Sequence, residues 1–245
     1  MEKIAIIIPS RLNAERLPNK PLKLIKNKEM ILHVYDIARA SNVGEVIVAT
    51  PDQEIFELLK TYNGQAVLTS DKHETGTDRI FEVFESSLKS KPEIIINFQG
   101  DMPNLNPNSI KDLVNHMKKN LCDIGTLASS IENEFEKKDL NVVKVLASED
   151  IKNKTFSKAL DFFRISDKPL SKLIYHHVGI YAFTNKALIR YVRLKRSKLE
   201  IERKLEQMRA VENQMKIDVG YINSCPLSVD TQADFEAVKK IMEKS

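Results

Sequence analysis

The sequence predicts an α/β fold, a doubly wound and mostly parallel sheet with a smaller inserted β-rich lobe. Three observations predict it. Ile4 to Ile8 is an unbroken apolar run stopped by Pro9, as a strand covered on both faces requires. Strand-like and helix-like segments alternate through the first half, which is the rhythm of βαβ units. The chain is 245 residues long and 42% hydrophobic, so it can bury a full core without disulfide staples.

Taken in order, the segment Glu29 to Ala40 places Ile31, Val34, Tyr35 and Ala38 at helical spacing. Glu45 to Ala49 reads as the next strand, ended by Pro51. Asp52 is placed to cap a helix carrying Ile55, Leu58 and Leu59. Ala66 to Leu68 is a short strand. Thr77 or Asp78 is placed to cap a helix with Ile80, Val83, Phe84 and Leu88, and Glu93 to Phe98 is another buried strand. In the second half, Val142 to Ala147, Thr155 to Phe163 and His177 to Phe183 read as strands. Ser197 to Asn213 reads as one charged helix with Leu199, Leu205, Met208 and Val211 inward. Lys216 to Ile222 is a strand, and a helix from Ala233 to Met242 follows. With no repeat, low-complexity tract or Gly/Ser linker, one continuous domain over 1–245 is expected, with the lobe at about 125–200.

Composition narrows the function. A net charge of +4 is too small to point to nucleic acid. Two cysteines, Cys122 and Cys225, sit in no metal-ligand spacing and are expected to be buried, reduced thiols. The apolar run after Met1-Glu2-Lys3 is too short for a signal sequence or a bilayer span, so a cytoplasmic protein without membrane association is expected. Positive charge is concentrated instead: Arg11, Arg16, Lys20, Lys23, Lys26 and Lys28 stand against only Glu15 and Glu29 between Ser10 and Glu29.

That basic segment follows the first strand, and open α/β sheets bind ligands beyond the carboxyl ends of their strands. Arginine offers a planar fork and lysine a point charge, a combination suited to a small polyanion. A solvated basic loop is the alternative. No GxxxxGK(S/T) and no GxGxxG occurs, so side chains rather than a glycine cradle must hold any phosphate.

Further clusters lie near strand ends. His73-Glu74-Thr75-Gly76-Thr77-Asp78-Arg79 is a turn followed by helix caps. Asn97-Phe98-Gln99-Gly100-Asp101-Met102-Pro103 puts an Asp after an apolar strand, where it can cap a helix or hold a metal bound to phosphate. In Val229-Asp230-Thr231, either polar residue can cap the last helix. Alternation places His177, Gly179 and Tyr181 on one strand face that could line a pocket, and Leu205-Glu206-Gln207-Met208-Arg209 is an ordinary amphipathic stretch by spacing.

Together, and in this order, these motifs resemble those of the CMP-Kdo synthetases, the 3-deoxy-manno-octulosonate cytidylyltransferases, which are nucleotidyltransferases of Rossmann-like fold. Pro9-Ser10-Arg11 with Arg16-Leu17-Pro18-Asn19-Lys20-Pro21-Leu22 is similar to the family's nucleotide signature. The resemblance runs from Ile4 to about Val238. It implies transfer of CMP from CTP to the anomeric hydroxyl of a Kdo-type 2-keto sugar acid, releasing pyrophosphate, for lipopolysaccharide precursor synthesis. It also implies that Ser10, Arg11, Arg16, Lys20, Thr75 and Gly76 bind the nucleotide. Arg79, Gln99, Arg164, His177, Tyr181, Glu206 and Gln207 bind the sugar acid, and Asp101 and Asp230 hold Mg2+. Arg11, Lys20, Asp101 and Asp230 are the implied catalytic set, and a homodimer is the implied assembly. The chain departs from the family pattern at Asn19 (usually Gly), Met102 (usually Glu), Phe163 (usually Ser) and Arg203 (usually Glu). Asn tolerates left-handed backbone angles, so the turn at Asn19 is expected to survive. A related enzyme for another sugar, and a silent nucleotide-binding module, are the alternatives.

Overall fold

The structure, a computed structural model, describes residues 3–14, 16–88, 90–153, 156–164 and 172–244. The chain forms two compact units, Met1–Lys111 with Pro226–Ser245, and Asp112–Cys225.

The first unit opens with β1 (Ile4–Pro9), buried throughout. A short 3-10 turn (Lys20–Leu22) precedes a tight hairpin of β2 (Leu24–Ile25) and β3 (Lys28–Glu29). Lys26 and Asn27 both take positive φ there, as a two-residue hairpin turn demands. Then come α1 (Met30–Ala40), β4 (Glu45–Thr50), α2 (Gln53–Thr61), β5 (Ala66–Leu68), α3 (Gly76–Ser86) and β6 (Ile94–Phe98). The four longer strands lie in the order β5-β4-β1-β6, all parallel. Burial on both faces explains why β1 and β6 are apolar without alternation. The sheet grows in one direction from β1 to β4 and β5, and β6 adds on the other side. Strand order therefore reverses between β1 and β6, and that switch point is where such sheets bind ligands.

α4 (Pro107–Lys119) leads into the second unit. That unit holds β7 (Ile124–Ser129), α5 (Glu134–Lys138), β8 (Lys144–Ala147), β9 (Phe156–Phe163), β10 (Ile174–Thr184), α6 (Asn185–Arg193), α7 (Lys198–Arg203), α8 (Gln207–Glu212) and β11 (Ile217–Tyr221). Its strands run β10-β7-β11-β9-β8, and β8 pairs with β10 as well, so the five close into a ring. Only β7 and β11 are parallel there. The expectation of a mostly parallel sheet is thus corrected to a mixed one: the all-parallel run is confined to the first unit, and in the second every ring pairing described except β7–β11 is antiparallel. The chain ends on α9 (Gln232–Lys244), back in the first unit.

Several local expectations also change. The segment 197–213 is two helices, α7 and α8. They part at Lys204, which sits in the left-handed region with φ 54 and ψ 46. Asp52 makes no capping hydrogen bond to α2. Thr75, not Thr77 or Asp78, caps α3, its Oγ1 accepting from the Asp78 amide at 3.1 Å. Thr155, the expected first residue of the β9 strand, lies outside the described residues. Cys122 is buried but Cys225 only partly so, and neither is in a disulfide. No helix among the described residues is long and apolar enough to cross a membrane.

Candidate active site

The basic loop of the first unit is held from both ends. Ser10 N continues the β4 pairing by donating to Ala49 O, and Leu12 N donates to Asp52 Oδ2 at 2.8 Å. Asp52 thus anchors the loop instead of capping α2. Leu17 is buried with Ile25, Met30, Val229, Phe235 and Val238, so one apolar plug ties the loop to the segment before α9. Asn19 turns the chain with φ 57 and ψ 22, the left-handed geometry that Asn supports in place of Gly.

This anchoring sets the charged groups around one point. Lys20 Nζ donates to Val229 O at 2.6 Å and lies 3.7 Å from Asp101 Oδ2 and 3.6 Å from Asp230 Oδ1. Arg16 Nη2 is 3.1 Å from Asp230 Oδ2. Val229 N donates to Asp101 O, which locks the loop after β6 to the segment before α9. Burial holds the Asp101 carboxyl above its usual range; Lys20 opposes this and Asp230 adds to it. Asp230 does not cap α9. Thr231 Oγ1 accepts from the Asp234 amide at 3.2 Å, and Asp234 Oδ2 accepts from the amides of both Asp230 and Thr231. The Asp230 carboxylate is left for the two cations. The pair offers hard oxygen donors already converging on a shared positive charge, a set that suits Mg2+.

Beside it, Ser10 is buried and its hydroxyl has no hydrogen-bond partner among the described residues. An orphaned hydroxyl costs about 1–3 kcal/mol, and such groups mark places where a ligand completes the site. Gly76, the first residue of α3, packs on the same corner. A β-carbon there would stand 3.2 Å from Pro9 Cγ and 3.3 Å from the Gln99 amide atoms. A side chain there would force Pro9 or the Gln99 amide to give way by a few tenths of an ångström.

Gln99 is oriented from below. Its Nε2 donates to Asn97 Oδ1 at 2.8 Å, and buried Asn97 donates to Thr77 Oγ1. With its amide nitrogen engaged, Gln99 presents its carbonyl oxygen as an acceptor. Arg79 is buried at the start of α3 and donates to Thr69 Oγ1 and Ser70 O, bracing the loop after β5. Burial and then the neighbouring Arg11 guanidinium lower its pKa. Met102, where the family usually has Glu, is buried.

In the second unit, His177 and Tyr181 meet with ring centroids 5.4 Å apart, and Phe162 closes on His177 edge-on at 5.1 Å. Simple alternation does not produce this. The β10–β7 register shifts between Val178 and Tyr181, and Gly179 and Ile180 fall in the irregularity. Thr126 accounts for it. Its hydroxyl is 2.7 Å from Ile180 O and 2.9 Å from His177 Nε2. One hydroxyl proton serves the carbonyl, so the imidazole donates from Nε2 and keeps a free lone pair on Nδ1. Burial pushes His177 down to about 3, so the ring is neutral. Burial, and then the Glu206 charge, raise Tyr181 well above its ordinary value, which keeps its proton in place. Two of the expected sugar-acid residues, His177 and Tyr181, are therefore in contact, and the charge of a third, Glu206, acts on Tyr181.

Gln207 is buried at the start of α8. Arg164 donates to Leu140 O and Asn141 O, while Lys144 Nζ donates to Asp139 O and Arg164 O, a reciprocal latch between two backbone segments. Arg203, another departure from the family pattern, ties α7 to β9 through Asp161 Oδ1 at 2.6 Å and Phe162 O at 2.7 Å.

Comparison with known proteins bears on this arrangement. Residues 5–217 match a family model described as cytidylyltransferase. A protein of Bartonella tribocorum named 3-deoxy-manno-octulosonate cytidylyltransferase is 40% identical over 241 residues, covering 97% of each chain. The chain belongs to the 3-deoxy-manno-octulosonate cytidylyltransferases. A Bartonella quintana protein of the same name is 41% identical over 244 residues, 98% of each chain. A solved structure of CMP:2-keto-3-deoxy-manno-octonic acid synthetase complexed with CTP superposes with a TM-score of 0.89 at 34% identity, covering 99% of both chains. Nucleotidyltransferases of this family are typically metal-dependent.

Asp52 and Ser228, missed by sequence reasoning, support this site. The first holds the loop and the second hydrogen-bonds the Asp101 carboxylate. Ser228 stands directly before Val229-Asp230, so its signal was position beside a motif. Asp52 stands before a helix, where a polar residue reads first as a cap, and that hides its role as the loop's anchor.

Proposed function

We infer that the chain is a 3-deoxy-manno-octulosonate cytidylyltransferase that forms CMP-Kdo from CTP and releases pyrophosphate. The observation that carries the site assignment is the convergence of Asp101 and Asp230 on Lys20, beside Arg16, at the switch point of the parallel sheet.

In this reading Arg11, Arg16 and Lys20 bind the triphosphate, Arg16 and Lys20 exchanging carboxylate partners for phosphate oxygens. Ser10 gains the partner its buried hydroxyl lacks, and Thr75 and Gly76 border the nucleotide at the start of α3. Lys20, largely removed from solvent beside Asp101 and Asp230, directs its ammonium toward the leaving pyrophosphate and offsets the charge that accumulates there. Asp101 and Asp230 hold Mg2+, which when bound supplies positive charge against the phosphates and lowers the pKa of the attacking hydroxyl. Gln99 accepts a hydrogen bond from a hydroxyl of the sugar acid, and an arginine of the sugar-acid set, Arg79 or Arg164, offers the two-pronged contact that its carboxylate takes. Neutral His177 accepts at Nδ1, protonated Tyr181 donates, and Glu206 and Gln207 engage sugar hydroxyls. No side chain is required as a covalent nucleophile, since the sugar hydroxyl attacks the α-phosphate directly. A homodimer is the proposed working form.

Replacing Lys20 or Arg16 by Ala tests the loop. Charge-assisted hydrogen bonds contribute about 1.5–3 kcal/mol each, so kcat/KM for CTP should fall about ten- to a hundredfold with the fold intact. Wild-type kinetics in both variants would remove the loop from the site.

A further inference from the structure

His116, Cys122 and Asp218 lie in the second unit, in the last turn of α4, the segment that follows it, and β11. Their donor atoms all fall within 4.8 Å of one another. His116 Nε2 and Asp218 Oδ2 are 2.7 Å apart. The imidazole is held flat against Phe156, with ring centroids 3.8 Å apart and planes 8° from parallel, and the Asn120 amide stands 3.0 Å from its Nδ1. Cys122 is buried and its sulfur touches Met117 Sδ at 3.3 Å. His116 and Asp218 keep part of their side chains in solvent.

We propose that His116, Cys122 and Asp218 form a zinc site, separate from the Asp101 and Asp230 pair, that staples the end of α4 to β11. One nitrogen, one sulfur and one oxygen from three separate segments make a donor set suited to zinc and foreign to Mg2+. Tetrahedral zinc with bonds of roughly 2.0–2.3 Å separates its ligand atoms by roughly 3.3–3.7 Å. The present cluster reaches that by about an ångström of side-chain adjustment. The buried thiol forms a dry floor and the exposed edge leaves the fourth position to water. Without an ion, the Asp218 carboxylate accepts from both neighbours, and burial with Asp218 pushes Cys122 up to about 12. Zinc replaces both shared protons: the thiol proton leaves to solvent and the imidazole proton moves to Nδ1. Asn120 Nδ2 at present also donates to His116 O at 3.0 Å; giving up that bond lets the amide turn and its oxygen accept a hydrogen bond from Nδ1–H, the outer partner that metal-bound histidines usually have.

The test uses the full chain, stripped with a chelator and titrated with Co2+ as a spectroscopic probe for zinc. One equivalent should produce a thiolate-to-cobalt charge-transfer band with strong tetrahedral absorption, displaced by zinc. The thiolate band distinguishes this site from binding of Co2+ to Asp101 and Asp230, and it requires no catalysis. Cys122→Ser should abolish it and Cys225→Ser should retain it. Asn120→Ala should weaken zinc binding about ten- to a hundredfold. Absence of the band in the wild-type chain, or its persistence in Cys122→Ser, would overturn the proposal. Should Cys122→Ser fail to fold by circular dichroism, His116→Gln and Asp218→Asn carry the same comparison.

Discussion

Thr231 satisfies the start of α9, so the Asp230 carboxylate is free to face Arg16 and Lys20. Two adjacent residues should therefore separate in experiment. Thr231→Ala should cost about 1 kcal/mol of stability as a lost cap, with turnover little changed. Asp230→Asn should leave the unfolding midpoint nearly unchanged and cut turnover by roughly two to three orders of magnitude, the scale of a lost electrostatic stabiliser. The reverse pattern in denaturation and steady-state assays would make Asp230 structural. His177 yields a pH test. Its folded pKa is about 3 against an ordinary 6.5, so between these values the unfolded chain binds a proton the folded chain refuses. Its contribution to stability is complete above the unfolded value and is lost as pH falls toward the folded one. Urea midpoints of His177→Gln should therefore decline less than wild type from pH 7 to 4. Parallel declines would mean that His177 is not held neutral. At this scale the sequence identified residue types well. It could not assign tasks between neighbours such as Asp230 and Thr231, because a cap and a ligand share the same side-chain chemistry.

At the scale of elements, the apolar runs made β1, β4 and β6 legible, since a strand buried on both faces has only one compositional solution. The second unit was harder. Its strands alternate imperfectly, and the irregularity at Gly179 and Ile180 is set by a hydroxyl on another strand, Thr126. The 197–213 segment has helical periodicity throughout and yet breaks, because Lys204 takes the left-handed region and Glu200 reaches across the break to Arg209. That pair is bidentate, at 2.8 and 2.6 Å, and both side chains are buried. Nine residues of separation matches no helical neighbour spacing, so sequence inspection could not pair them. Removing one charge strands the other: Glu200→Gln should cost about 3–5 kcal/mol. Lys204→Gly should instead stabilise by up to about 1 kcal/mol, since glycine enters the left-handed region without penalty. Chemical denaturation of the two variants checks both signs; a neutral Glu200→Gln would show that the pair is not needed to hold α7 and α8.

For the whole molecule, motif order along the chain announced the family, and strand reversal between β1 and β6 explains where the nucleotide signature must lie. What sequence periodicity could not supply was the meeting of Asp101 with Asp230, which depends on Val229 bonding to Asp101 and on Leu17 plugging into the core beside Val229. Departures at Met102 and Arg203 prove to be a buried core residue and a brace between α7 and β9, so neither removes a charge from the Asp101 and Asp230 pair. The central claim is tested most directly by pyrophosphate release with CTP held fixed, comparing Kdo, a nine-carbon sialic acid and a hexose 1-phosphate, with the nucleotide product identified by mass spectrometry. Kdo should give CMP-Kdo and one pyrophosphate per turnover, with activity lost to a chelator and restored by Mg2+. Turnover of the hexose 1-phosphate in preference to Kdo, or no pyrophosphate release from Kdo with Mg2+ present, would contradict it.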